Sequence, residues 1–538
     1  MNRSMLRFLP AVLCLGALAA PAWAGPARQG FAGPFEAGLR WVHSAGLAAP
    51  WIPTRVSLAA GGELVWIGTE VANRRLLLFD GSQAGVVQPT FVDTSVASAS
   101  NVLDVAAGAG GQRLFTLLQY PEPDLLHRRT RVTRHDALQA GAGAPFVALW
   151  SHDLGFVGNG PARMAVDETG NVVALAALQD SASLVRVEHL DGTTGAVLWT
   201  RDLSGGSLEG FALSGDGQVT ALGIDQRLVI LDGSGNSLHD ELLNSPAPAL
   251  ALAADGTRLV LGRVGELRVY DFDGQQYQLV SAHAGAGDEV ASRAALSRDG
   301  ATYAAAWWRF RDPDALRLEI YDGPAHALVN QWGQLGQAGG LQNAPSDLVL
   351  TPDGRRAALA SWGQGNTEPE VVLLERGVAL PVMTIDLPGS ALGLDLDPGG
   401  TRLVVVTKNL HANQIGSTGE VRLYDTGEGD LELQGPARLG GSLQATSLEA
   451  GASIALFLIG TRAAVPGAIP GTQGLLQLDR GLRLRVVPRP ADALGRAELD
   501  LPLPSLAALS GARLSVQVAS RVGGVVVFSE SVLDPLFY

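Results

Sequence analysis

Leu250-Ala-Leu-Ala-Ala-Asp-Gly256, Thr257-Arg-Leu-Val-Leu-Gly262 and Glu266-Leu-Arg-Val-Tyr-Asp271 read as three consecutive β-strands, the first two joined across an Asp-Gly turn. Asp-Gly between apolar runs is a hairpin signal, because such turns need a positive φ that glycine adopts without steric cost. In the third run Leu267 and Val269 face one way and Glu266 and Arg268 the other, the two-residue period of a strand. Working outward, the same unit recurs around Asp216-Gly217, Asp299-Gly300, Asp353-Gly354 and Gly399-Gly400. Fainter copies lie around Gly61-Gly62, Gly110-Gly111 and Thr169-Gly170. The turn glycines are on average about 48 residues apart, a period that marks propellers and solenoids. No stretch carries a clean 3.6-residue apolar period, so few helices are predicted.

A fourth strand follows the third. Ala196-Val-Leu-Trp199-Thr-Arg-Asp202 comes after Val185 to His189, and Val147-Ala-Leu-Trp150-Ser-His-Asp153 after Arg131 to His135. Four antiparallel strands make one propeller blade, and radial repetition protects the sheet edges. Leu39-Arg-Trp41-Val-His43 reads as another fourth strand, placed before any hairpin, and is expected to close the ring beside Val421 to Asp425. The prediction is an all-β chain: a β-propeller of eight four-stranded blades over residues 36–434. Seven blades is the alternative, should the Gly111 unit be an insertion. Residues 435–538 lose the repeat and gain prolines such as Pro466, Pro488, Pro490 and Pro502. Short strands remain at Ser453 to Ile459, Gly474 to Leu478, Leu482 to Val487 and Leu514 to Val518, pointing to a small β-sandwich-like accessory domain.

The repeats resemble the broad group of bacterial WD-repeat-like and YVTN lactonase-like propellers. One unit, Leu190-Asp-Gly-Thr-Thr-Gly-Ala-Val-Leu-Trp199, is similar to the repeat of pyrroloquinoline-quinone-type propellers, whose tryptophan docks one blade onto the next. The resemblance implies that role for Trp199, and Trp41 and Trp150 stand in similar settings.

Residues 1–24 read as a secretory signal. Arg3 and Arg7 precede an apolar run from Phe8 to Ala20, and Ala22-Trp23-Ala24 supplies a cleavage site before Gly25. Residues 25–35 then form a linker. The expected address is secreted or periplasmic, with cell-surface association as a variant. The only cysteine, Cys14, lies inside the signal, so stability is expected from the strand core and not from disulfides. Beyond the signal no stretch reaches the ~18 apolar residues of a spanning helix. A formal net charge of −14 repels phosphate backbones, which argues against nucleic acid and anionic membranes as partners.

The catalytic inventory is thin. There is no G-x-S-x-G elbow, and the nine histidines form no H-x-H or H-x-x-x-H pair. His43 and His152 follow fourth-strand tryptophans at a position held by Arg201 in the next blade, and are read as exposed outer-edge residues. Asp271-Phe-Asp273-Gly274 begins like a calcium loop but lacks the later carboxylates, and reads as a turn. No cofactor is expected. Calcium or pyrroloquinoline quinone belongs to the alternative of a lactonase-like or quinoprotein-like enzyme, with Glu70, Asp104 and Asp225 as carboxylate ligands.

Function is sought where the copies differ. The links from second to third strand are long at Tyr120 to Leu126, Arg309 to Ala315, Gly363 to Pro369 and Asn409 to Gly419, but tight at Gly223 to Gln226 and Gly262 to Gly265. Loops longer than a turn requires are more often functional. Eight residues past each turn glycine stand Glu70, Gln119, Leu178, Asp225, Val264, Trp308, Trp362 and Lys408, expected near the end of each second strand. The expectation is a non-enzymatic scaffold that binds a protein, peptide or glycan on this face. Its contact residues are Trp308, Arg309, Arg311, Trp362, Asn366, Lys408 and His411. A structural cell-surface protein is the remaining reading.

Overall fold

The computed structural model describes residues 39–528 except 45–50, 60–63, 71–74, 82–90, 93–100, 109–112, 123–127, 137–147, 158–159, 180–181, 312, 337–342, 365–367, 413, 415, 427–430, 434–441, 449–451, 461, 469–471, 474, 479–484, 492–495, 503–514 and 523–524. The signal, the linker and Asn366 lie outside these residues.

Eight four-stranded antiparallel sheets follow one another: blades 1 to 7 span residues 52–92, 101–157, 162–204, 208–242, 249–284, 289–335 and 345–385. Blade 8 takes three strands from residues 391–425 and its outer strand from Leu39–Ser44, paired with Gly419–Asp425. The N-terminal strand therefore closes the ring. The first strand of every blade packs beside the first strands of both neighbours, blade 8 against blade 1 included, so these eight strands line the axis. The unit around Gly111 is a full blade, which fixes the count at eight.

The reason the repeat needs its glycine is visible at Gly217 and Gly256, with φ of 73° and 69°. A Cβ at either would be strained in that region and would also strike Val172 or Val219 of the preceding blade. The turn is braced from within by a hydroxyl or carboxylate three residues before the glycine. Ser214 Oγ accepts the Val219 N–H at 2.9 Å, Ser297 Oγ that of Thr302 at 2.9 Å, and Asp397 Oδ1 that of Arg402 at 2.7 Å. Each turn is also clasped by its predecessor where that blade offers an arginine: Arg113, Arg258 and Arg356 donate to the carbonyls of Gly170, Gly300 and Gly400. Between the blades lie apolar layers such as Leu222, Ile224 and Val229 against Ala176, Val185 and Val187.

The C-terminal region forms three sheets: residues 431–433, 442–448 and 496–502; a five-stranded sheet built around Ala452–Gly460 and Ser515–Val522; and a pair, 462–468 with 475–478. Phe457, Val516 and Val518 are buried in it. Its prolines do not all separate strands. Pro488 and Pro490 sit inside Arg485–Pro490, an edge strand, where a missing N–H can face solvent instead of a partner. The stretch read as starting at Leu482 is described as a strand only from Arg485.

Candidate functional site

Every blade has a turn face, carrying the glycine turns, and a loop face, carrying the second-to-third strand links and the blade-to-blade connections. The loop face is uneven. In blades 4 and 5 the links between Ile224 and Arg227 and between Arg263 and Glu266 are two residues long, whereas Ser361 and Val371 of blade 7 are nine apart in intervening sequence.

The long links of blades 6, 7 and 8 are bonded to one another. Asp314, from the blade 6 link, accepts the Asn343 N–H at 2.9 Å, and Asn343 accepts the Gly363 N–H at 2.8 Å. The Trp362 carbonyl takes the Ser390 hydroxyl at 2.7 Å and the Ala412 N–H at 3.3 Å, which carries the chain of bonds into blade 8. Gln334 of the blade 6 outer strand reaches Glu368 at 2.9 Å.

On this platform the expected contact residues have different roles. Trp308 is half-buried and meets Phe310 edge-on at 5.2 Å, while Phe310 itself is 62% exposed. Its neighbour Trp307 points the other way, is buried, and lies under the Arg317 guanidinium. Arg311 is exposed and pairs with Asp288 at 2.7 Å; Arg309 is half-buried. Trp362 is half-buried. Lys408 turns back on its own loop and donates to the carbonyls of Ala412 and, at 2.9 Å, Gln414. His411 is buried beside Glu370, with 3.4 Å between Nδ1 and Oε1. Burial raises the Glu370 pKa to about 8, Asp386 and Glu368 adding to the rise against the Leu387 N–H. Burial lowers that of His411. Both shifts favour a neutral carboxylic acid beside a neutral imidazole over an ion pair.

The outer strands dock forward. Trp150 Nε1 donates to Gly192 O at 3.2 Å and Trp199 Nε1 to Gly233 O at 2.8 Å, each in the next blade; Trp41 stacks on Phe79 of blade 1 at 5.4 Å. Blade 6 uses Asn330 for the same purpose, bonding the turn at Gly377 and Val378. His43 and His152 differ from the expectation of exposure. Both are half-buried, because each outer strand overlaps the following blade: His152 pairs with the buried Glu188 at 2.7 Å, and His43 packs edge-on to Trp51 and Phe79.

One constellation escaped the sequence reading. Seven residues before each turn glycine, on the axial strands, stand Arg55, Asp104, Arg163, Gly210, Ala249, Arg293, Asp347 and Gly393. Register bulges beside Arg55, Asp104, Arg293 and Asp347 re-aim these side chains. The pairing places Arg293 opposite Ala306, two positions below Trp308, so the ring lies just beneath the loop face. Asp395 sits one inward-facing position deeper. Burial raises Asp104 to about 6, opposed by Arg55, and raises Asp395 to about 7, helped by Asp347. Among the described residues no direct ion pair joins these groups. Asp104 thus belongs to the axis, while Asp225 caps Gly206 N–H and Ser207 in blade 4, so these two carboxylates do not share a site. Among the described residues no group of three His, Cys, Asp or Glu is placed to hold a metal.

No protein-family model matches the chain, and no curated protein matches it in sequence. Solved structures do resemble it. Chaetomium thermophilum Sqt1, solved bound to the N-terminus of ribosomal protein L10, is 14% identical with a TM-score of 0.50, over 72% of this chain and 100% of that one. The Dos1 propeller gives 13% and 0.47 over 72% and 95%, and the Myceliophteria thermophila Cps50 (Swd1) propeller domain 12% and 0.42 over 71% and 99%. The likeness to Sqt1 is one of fold alone: this chain is a β-propeller of eight four-stranded blades, closed by its own N-terminal strand.

Proposed function

We propose that the chain is an exported, non-enzymatic scaffold that binds a protein or peptide on its loop face over blades 6 to 8. The observation that carries this reading is the platform itself, three long links bonded through Asp314, Asn343 and Trp362 where blades 4 and 5 make do with two residues. Ordering a loop residue costs about 1–2 kcal/mol in backbone entropy, so links held this way serve something beyond connection. Trp308, Trp362 and the exposed Phe310 supply the aromatic anchors that protein interfaces favour. Sqt1 was solved with a protein segment bound, and from it we take only that the fold can hold one. Export rests on the Met1 to Ala24 pattern, with cleavage before Gly25 and a secreted or periplasmic address.

The test is capture from cell-envelope extract on immobilised protein, comparing the native chain with Phe310→Ser and Trp362→Ala. A protease-sensitive partner retained by the native chain and lost by both variants is the expected result. Equal retention by all three removes the platform as the binding face, and a protease-resistant carbohydrate would replace the reading with glycan binding.

A further inference from the structure

The axial ring has spare capacity of one kind. Its arginines are braced by neutral acceptors: Arg55 donates to Leu103 O at 2.7 Å and Thr54 O at 2.9 Å, Arg163 to Ala162 O at 3.1 Å, and Arg293 to Ser346 O at 3.1 Å and Ser292 O at 2.7 Å. Three guanidiniums carry roughly fifteen N–H groups, most of which these bonds leave unused. The carboxylates are braced by backbone donors. Asp347 accepts from Leu348 and Leu394, Asp395 from Leu58 and Leu396, and Asp104 from Val105, all backbone N–H groups. The larger unused reserve is therefore of donors, on the guanidiniums.

The arginines also converge. They come from blades 1, 3 and 6, and Arg293 is held below its ordinary pKa by burial and by the repulsion of Arg55 and Arg163, with Asp347 opposing. Arg163 is likewise held below its ordinary pKa, by burial and by the repulsion of Arg55, with Asp104 and Glu209 opposing. Arg55 and Arg163 remain accessible. Gly210, Ala249 and Gly393 add no charged side chain at the other ring positions.

We propose that the propeller axis carries an oxyanion-binding site, formed by the fixed guanidiniums of Arg55, Arg163 and Arg293 just beneath the loop face, which takes the carboxylate or phosphate group of a small solute. An oxyanion there accepts from several guanidiniums at once and relieves their mutual repulsion, the charge-assisted geometry arginine suits best. Asp104, Asp347, Asp395 and Glu209 limit the charge of the ligand, and Asp397 adds to the negative field at Asp395.

Titration calorimetry of the intact protein with inorganic phosphate and with citrate separates the two sources. Binding of one of them at a single site is expected, weakened about tenfold or more by Arg55→Gln, Arg163→Gln or Arg293→Gln, roughly the worth of a charge-assisted hydrogen bond. Arg298→Gln on the exposed turn face should leave it unchanged. Between about pH 5 and pH 8 Asp104 gains charge in the native protein, so the affinity difference between the native protein and Asp104→Asn should widen over that range. Because an arginine variant that fails to fold would also lose binding, Asp104→Asn supplies the opposite sign: it removes a negative charge and should tighten binding. Absence of binding by both anions to the native protein overturns the site, as does equal binding by the three arginine variants or weaker binding by Asp104→Asn.

Discussion

The turn face and the loop face are built from the same strands and obey different rules. On the turn face φ at Gly170, Gly217, Gly256, Gly300, Gly354 and Gly400 lies between 67° and 73°, and each glycine packs on the preceding blade. None of these glycines can take a side chain without disturbing two blades. On the loop face the links range from two residues to a bonded platform, and the residues at the strand ends include tryptophan, lysine, aspartate and valine. Identity on one side supplies the rigidity that lets the other side differ.

The sharpest way to break that contrast is Gly256→Val. The new side chain would occupy the left-handed region, with its Cβ 2.5 Å from Val219. A loss of about 3 kcal/mol or more in denaturant unfolding is expected, from backbone strain and overpacking together. A loss below about 1 kcal/mol would mean that the turn face tolerates variation after all. Arg356→Met comes next. Arg356 is 2% exposed, bonds the Gly400 carbonyl and Thr426 at 2.8 Å each, and shares Glu375 with Arg355. Removing it is expected to cost about 3 kcal/mol, since buried acceptors lose a charged donor.

The sequence made the turn face almost wholly legible, because hairpin chemistry is local: Asp255-Gly256 declares itself without reference to any other blade. Ring closure by Leu39–Ser44 was legible for the same reason, as a strand of fourth-strand type lacking its own hairpin. The loop-face platform was visible only as length. That Asn343 would join two links depends on neighbours brought together by the ring, and Lys408, expected as a contact residue, donates to carbonyls of its own loop. The axial ring could have been found by counting seven residues back from each turn glycine as well as eight forward. The arginines at 55, 163 and 293 share no local motif, and only the repeat's period relates them.

A smaller effect sharpens the comparison on the loop side. Glu370 is buried at the root of the blade 7 link, and Gly363 stands so close that its missing Cβ is what makes room for the carboxyl. The folded pKa of about 8 lies above the ordinary 4.5, so the folded state holds a proton that the unfolded state has released. Stability should therefore decline as pH rises from about 4.5 to about 8. Glu370→Gln keeps the shape of the neutral acid and removes that slope. Its unfolding free energy should be nearly the native value near pH 5 and exceed it near pH 8 by on the order of 1–3 kcal/mol. Parallel pH profiles for the two proteins would show that Glu370 is ionised and paired with His411.

The smallest effect on stability belongs to Phe310→Ser, and its size is the point. Phe310 is 62% exposed and its one ring contact is with Trp308. Surface substitutions away from caps and packed contacts stay within about 0.5 kcal/mol, so thermal and denaturant midpoints should barely move. Partner capture should nonetheless fall, because an exposed aromatic beside a half-buried tryptophan gains its energy from being covered. A turn-face substitution of equal exposure, Arg298→Gln, should alter neither property. If Phe310→Ser lowers stability as much as Arg356→Met does, the loop face is a packed element like the turn face. If it lowers neither stability nor capture, the platform is not the face that partners see.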